Sequence, residues 1–424
     1  MNVSLNPNVG NLSESATLAI NQTAIRRREQ GEQIVHFGFG QSPFPVPEAI
    51  EHALKQAAAS KEYLPTLGLT ALRDQFVDYY NARYHTQLKP EAIFVGPGSK
   101  ELIFQMLYLL EGTVIIPAPS WVSYVPQARL LDKQIVTVGT GKSSSYKLTA
   151  DQLDMACIDL GRGQKILILN SPNNPTGTIY SREEIVTLVN VCRTNDVILM
   201  SDEIYGLVDF DGQSFESMAR YYPEGTIVST GLSKGFSAGG YRLGMMGIPD
   251  HMQNLIEAFK TLVSETFSCV SSPIQYAALA AYCQNDDQDL YIRGCTQIHQ
   301  LASTYLYRRL SDMGVDCVKP VGAFYLFPDF EDFREQLAAI GIRTAPELCR
   351  YLLNRHQVAL LPGSAFSMPE ESLTVRIASV DYDGIAAIRA HLDGHELNDE
   401  FVGRYLPNLI KGSDALAGFL RSLG

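Results

Sequence analysis

The chain has 424 residues, 46% hydrophobic and 19% charged, and its 34 basic against 46 acidic side chains leave a net charge of −12. That is enough chain for a large core and two domains, while the acidic balance repels phosphate backbones and argues against nucleic acid as a partner, so an anionic ligand needs a local cationic pocket. Seven scattered cysteines without a C-x-x-C pair read as reduced thiols of a cytoplasmic protein, eight histidines form no zinc-binding pattern, and the apolar runs are too short for a membrane span.

Residues 1–45 show no sheet of their own and are expected to pack with a smaller domain. No charged and then apolar leader opens the chain, so the N-x-S/T triplets at Asn2, Asn11 and Asn21 carry no implication of glycosylation. Between 46 and 285 short apolar, β-rich runs alternate with amphipathic helices. Strands are predicted at Ile93–Gly96, Thr113–Ile116, Ile135–Val138, Lys165–Leu169, Val197–Ser201, Ile227–Thr230 and Leu243–Gly247. Ser181–Asn195 is a predicted helix with Ile185, Leu188, Val189 and Cys192 on one face. This alternation implies an α/β fold with a mainly parallel seven-stranded sheet covered on both sides. From 286 to 395 the pattern changes to a long helix ending near Asp312. Isolated strand signals follow at Val315–Val318, Ala323–Phe327, Val358–Leu361 and Thr374–Ile377, which read as a small α+β domain. Residues 396–424 read as a helical extension with no assignable role.

In open α/β sheets ligands bind beyond the carboxyl ends of the strands, and four polar stretches fall there. Gly96-Pro97-Gly98-Ser99-Lys100 opens a helix; it lacks P-loop spacing and reads equally as a helix cap or as an anion site made of free N–H groups. Asn170-Ser171-Pro172-Asn173-Asn174-Pro175 reads alone as a turn. Asp202 ends a buried strand and so needs a cationic partner. Gly231-Leu232-Ser233-Lys234-Gly235 fits G-x-S-x-G and offers two chemistries, a serine hydrolase using Ser233 or an amine using Lys234. The hydrolase requires an ordered Asp, a His and an HGGG-like oxyanion element, and no HGGG occurs in the chain. By themselves, Trp121, the only tryptophan, reads as core and Arg376 as an exposed strand residue. No metal site is indicated. Together these residue types complement pyridoxal 5′-phosphate, which needs a lysine, a carboxylate, phosphate-binding donors and a flat partner.

The stretch Gly231–Gly244, GLSKGFSAGGYRLG, resembles the lysine-attachment signature of the class I/II aminotransferases of fold type I, and the chain is most similar to their bacterial-type aspartate aminotransferases. The resemblance runs through Phe39-Gly40-Gln41-Ser42-Pro43, Tyr63, Gly68–Arg73, Gly98–Lys100, Pro119–Tyr124, Asn170–Gly177, Ser201–Tyr205, Gly322–Tyr325, Leu361–Ser364 and Val375–Ile377. It implies that Lys234 attaches pyridoxal phosphate and carries protons, and that Asp202 pairs with the ring nitrogen. Tyr205 and Asn174 are implied to bond the 3′ oxygen. Gly98, Ser99, Lys100 and Arg242 hold the phosphate, and Trp121 stacks on the ring. Arg376, with Gly40 and Asn174, receives the substrate α-carboxylate. Lys100 lies near a distal carboxylate, beside Trp121. Tyr63 reaches the phosphate of a neighbouring subunit, which implies a homodimer with shared sites. Many relatives carry a phosphate-binding hydroxyl three residues before the lysine; here that position is Gly231, and Ser233, adjacent to the lysine, is the candidate substitute.

The expected activity is therefore ping-pong transfer of an amino group between an L-amino acid and a 2-oxo acid, of aspartate/glutamate type. An aromatic or broad-specificity aminotransferase is the nearest alternative, and a β-lyase or cyclopropane-forming synthase of the same fold needs the same lysine, aspartate and arginine. The related ligand sensors of transcription regulators require an N-terminal DNA-binding module, and too few residues precede the motif region to form one.

Overall fold

A computed structural model of the chain describes residues 3–10, 12 and 14–423. Asn2 and Asn11 lie outside the described residues, and Asn21 falls inside the helix Ala16–Glu29. The strands, in chain order, are β1 (Val35–His36), β2 (Ile93–Gly96), β3 (Thr113–Ala118), β4 (Ile135–Gly139), β5 (Lys165–Asn170), β6 (Val197–Asp202), β7 (Thr226–Gly231), β8 (Gly244–Gly247), β9 (Tyr325–Leu326), β10 (Val358–Ala359), β11 (Leu361–Pro362) and β12 (Val375–Ala378).

Seven of them form one sheet in the order β2-β8-β7-β6-β5-β3-β4. β8 runs antiparallel to both of its neighbours and every other pairing is parallel. The strands that alternate with helices are therefore parallel, as expected of crossover connections. β5 is buried along its whole length because helices cover both faces. The helix Arg182–Thr194 shows how one of these covers is specified. Ser181 and Glu184 close a capping box at its start, and Ile185, Leu188, Val189 and Cys192 all turn into the core.

A second hydrophobic cluster surrounds the helix Asp286–Asp312. It is built on the three-stranded sheet β11-β12-β9 and the parallel pair β1–β10. Val35, Phe37 and Phe44 from the start of the chain enter this cluster, as do Phe401, Val402, Leu409, Leu416 and Phe419 from its end. Among the described residues, 396–423 contain two helices, Asp399–Tyr405 and Pro407–Arg421.

The prediction of a strand at Val315–Val318 is corrected. Only an isolated bridge between Asp316 and Asp329 forms there, with the Lys142 ammonium 2.8 Å from Asp316 and 3.0 Å from Asp329. The β-branched residues that suggested a strand are too few to make a ladder, and the bridge rests on a backbone bond from the Asp329 N–H to the Asp316 carbonyl at 2.8 Å. Of the other small-domain runs, Ala323–Phe327 is reduced to the two-residue β9, Val358–Leu361 is split into the two-residue β10 and β11, and Thr374–Ile377 keeps its length as β12, shifted by one residue.

Candidate active site

The carboxyl ends of β5, β6 and β7 lie side by side. Asn170 pairs with Asp202 in register and Asp202 with Ser229. β8 then brings Gly244 between Gly231 and Gly96, so the start of the helix Ser99–Leu109 reaches the same rim. The close fit needs glycine at Gly244, where a Cβ would lie 2.4 Å from the Ser99 nitrogen. The rim opens into a cavity of about 390 Å³. Four cationic side chains, Lys100, Lys234, Arg242 and Arg376, line it against one carboxylate, Asp202. A chain of net charge −12 thus keeps a local pocket for an anion.

Lys234 stands in the turn after β7. Its Nζ donates to the Gly40 carbonyl at 2.7 Å and lies over the rings of Tyr205 and Phe324. Burial, and then the Arg376 guanidinium, push its ammonium down to about 8, and the Asp202 carboxylate works in the opposite direction. This lysine is neutral, and so nucleophilic, far more often than a surface lysine.

Asp202 is buried at the end of β6. Tyr124 donates its hydroxyl to one carboxylate oxygen at 2.6 Å, and the Ile204 N–H donates to the other at 3.3 Å. Burial pushes its carboxyl up to about 6, and the Tyr124 hydroxyl opposes the rise. A cationic N–H placed against it would keep the carboxylate ionised.

Arg376 is 1% exposed, on β12. Its guanidinium donates to the Gly38 carbonyl at 2.7 Å and to the Asn174 side-chain oxygen at 3.2 Å, and it stacks against Tyr325 and Phe366. Its Nε has no partner, and no carboxylate pairs with it among the described residues. A buried guanidinium without a counter-ion needs an anion from outside the chain. Read alone, a strand arginine is an exposed residue; here β9 and β11 enclose it.

Tyr205 is buried with its hydroxyl 2.7 Å from that of Tyr325. Asn174 is held by its backbone N–H, which donates to the Asn170 side chain at 2.8 Å. Trp121 packs edge-on to Tyr124 with ring centres 5.2 Å apart, and the Lys100 ammonium lies 5.4 Å from the indole centre. Arg242 donates to the carbonyls of Gly239 and Pro97. Gly98 has φ +94°, and a Cβ there would lie 2.3 Å from an Arg242 nitrogen. Ser99 and Ser233 line the cavity, and no histidine does. The Ser-His arrangement of a hydrolase is therefore absent among the described residues.

Gly231 cannot carry the hydroxyl expected of many relatives. A Cβ there would lie 2.6 Å from the Leu243 carbonyl, because β8 pairs across it. Tyr63 does not line the cavity and is 92% exposed. Sequence reasoning left Tyr124 and Tyr325 without roles, and it missed Ser15, Thr17 and Leu18, which reach the cavity from the start of the chain.

The model for the family "Aminotransferase class I and II" matches residues 32–392. An aspartate aminotransferase of Geobacillus stearothermophilus is 34% identical over 392 residues, covering 90% of this chain and 97% of the relative. An asparagine–oxo-acid transaminase of Streptococcus mutans is 32% identical over 370 residues, covering 85% of this chain and 91% of the relative. The solved aspartate aminotransferase of Thermus thermophilus with maleate superposes with a TM-score of 0.84 at 25% identity, covering 98% of this chain and 99% of that one. The motifs, the fold and these relatives agree, and the chain belongs to the class I and II aminotransferase family.

Proposed function

We propose that this aminotransferase binds pyridoxal 5′-phosphate through Lys234 and moves amino groups between acidic L-amino acids and 2-oxo acids. The cavity fits the cofactor in the chemistry of its donors: a buried amine of lowered basicity, a buried carboxylate lacking a cation, and a helix start beside Arg242. When bound, the cofactor supplies a carbonyl for the amine and a ring that withdraws electrons from the substrate Cα. Asp202 would hold the proton on the ring nitrogen. Ser99, the N–H groups of the helix start and Arg242 would hold the phosphate, with Ser233 beside them. Tyr205 and Asn174 would bond the 3′ oxygen, and Trp121 would cover the ring. Lys234 Nζ would carry the proton between the substrate Cα and the cofactor carbon C4′.

The observation that carries this reading is the buried, unpaired Arg376 guanidinium beside Lys234. It suits an α-carboxylate, which accepts two parallel N–H bonds. Lys100 supports an acidic substrate. It has no carboxylate partner among the described residues, and partial burial together with Arg242 lowers its basicity, so a distal carboxylate would relieve both charges. Leu18, Phe39 and Ile204 give the same cavity an apolar side, which favours an aromatic amino acid as a second substrate. The exposure of Tyr63 supports a homodimer in which this hydroxyl serves the other subunit's phosphate.

The test is steady-state transamination of L-aspartate and L-phenylalanine with 2-oxoglutarate. Lys100→Ala should lower kcat/KM for aspartate by about tenfold or more, corresponding to about 1.4 kcal/mol, and leave phenylalanine unchanged. Equal effects on both substrates would remove the acidic reading and leave the aminotransferase. Arg376→Gln should cost both substrates about 2 kcal/mol or more.

A further inference from the structure

The helix Pro407–Arg421 lies beyond the residues matched by the family model, which end at 392. It does not reach the cavity, yet it packs against β1, which leads into the cavity-lining residues Phe39, Gly40 and Gln41. Glycine is a poor residue for a helix interior, so Gly412 in this helix calls for a reason. A Cβ at Gly412 would lie 2.4 Å and 2.5 Å from two ring atoms of Phe37 and 2.9 Å from Val35. Phe37 is fully buried and cannot swing away. The helix backbone therefore seats directly on the Phe37 ring.

Phe37 leads into the segment that holds two of the four cationic groups of the site, Arg376 and Lys234. Its carbonyl accepts from the Ala378 N–H at 2.8 Å, two residues beyond Arg376 on β12. The next carbonyl, of Gly38, accepts from Arg376 at 2.7 Å, and that of Gly40 accepts from Lys234 at 2.7 Å. A second tie comes from the first turn of the same helix. Asn408 donates to Asp381 at 3.4 Å, and that same carboxylate oxygen accepts from the His36 N–H at 2.7 Å and from Arg28 at 2.9 Å.

We propose that the C-terminal helix Pro407–Arg421 is a positioning element of the active site, which sets residues 37–40 through Gly412 and Phe37 and so aims the Arg376 guanidinium at the substrate carboxylate. The inference rests on the reading of Arg376 given above. A carboxylate-binding group misplaced by about 1 Å loses on the order of 100-fold in reactivity, so a small shift at Phe37 is enough to matter.

The test uses the holoenzyme and succinate, a dicarboxylate that cannot react. Gly412→Ala should weaken succinate about tenfold by calorimetry and speed hydrogen exchange at the Ala378 amide. Phe37→Leu, which removes the ring atoms in the way, should restore both when combined with Gly412→Ala. Gly418→Ala, on the same helix with nothing within 4 Å of its added Cβ, should change neither. A folded Gly412→Ala with parental succinate affinity and parental Ala378 exchange would overturn the inference. If that variant fails to fold, Asn408→Ala, which removes only the second tie, should weaken succinate to a smaller degree, and parental affinity there would overturn it equally. An Arg376→Gln holoenzyme that still binds succinate at parental affinity would instead remove the reading of Arg376 on which the inference stands.

Discussion

At the scale of single residues the site is a set of groups moved off their usual protonation. Burial and Arg376 favour the neutral form of Lys234, while Asp202 favours the charged form. Capture of pyridoxal phosphate by the cofactor-free protein should therefore accelerate as pH rises through about 8, well below the ~10.4 of an unperturbed lysine. Two variants should move that midpoint in opposite directions. Arg376→Gln removes a cation and shifts it upward; Asp202→Asn removes an anion and shifts it downward. Stopped-flow absorbance across the pH range reads both, and midpoints that stay fixed would show that neither group acts on the lysine. Asp202 was legible in the sequence because it directly follows an apolar strand run, and Lys234 because the segment after another such run resembles the family's lysine-attachment signature. Arg376 was legible only through family resemblance, since its burial depends on strands and on a Gly38 carbonyl 338 residues away. The Tyr124–Asp202 and Tyr205–Tyr325 bonds span 78 and 120 residues, and no local pattern signals a hydroxyl's distant partner.

Elements set the geometry in which those residues act. The sheet was readable because each buried strand is a near-continuous apolar run and each covering helix has one apolar face. The small-domain strands were less so: two-residue ladders such as β9 and β10 carry almost no periodicity. The start of the helix Ser99–Leu109 owes its place beside Arg242 to Gly98, which combines a left-handed φ with a contact no side chain could make. Gly98→Ala should therefore weaken pyridoxal phosphate binding to the cofactor-free protein by about tenfold or more, from backbone strain of about 1–3 kcal/mol and displacement of the guanidinium. Fluorescence titration measures this directly. Unchanged affinity would mean that Arg242 does not hold the phosphate. Gly231 illustrates the same rule in reverse. The sequence shows that the expected hydroxyl is missing, and only the pairing of β7 with β8 explains why no side chain is tolerated there.

Across the whole molecule the site is a local cost to the fold. The folded state raises the Asp202 carboxyl from the ordinary carboxylate range to about 6, so in the cofactor-free protein it binds its proton more tightly than in the unfolded chain. The contribution is present below the unfolded value and is lost as pH rises through about 6. Asp202→Asn, which can still accept from Tyr124, should accordingly melt higher than the parent in cofactor-free form at neutral pH, by the equivalent of about 1–3 kcal/mol. Differential scanning calorimetry at acidic and neutral pH checks this; the gap should close on acidification. The most direct test of the account is the absorbance spectrum of the protein saturated with pyridoxal phosphate, taken before and after excess L-aspartate without any 2-oxo acid. A visible band that requires Lys234 and bleaches with aspartate as oxaloacetate forms is the predicted result. A protein with no visible band, or one whose band is the same in Lys234→Ala, would contradict the claim that Lys234 carries the cofactor.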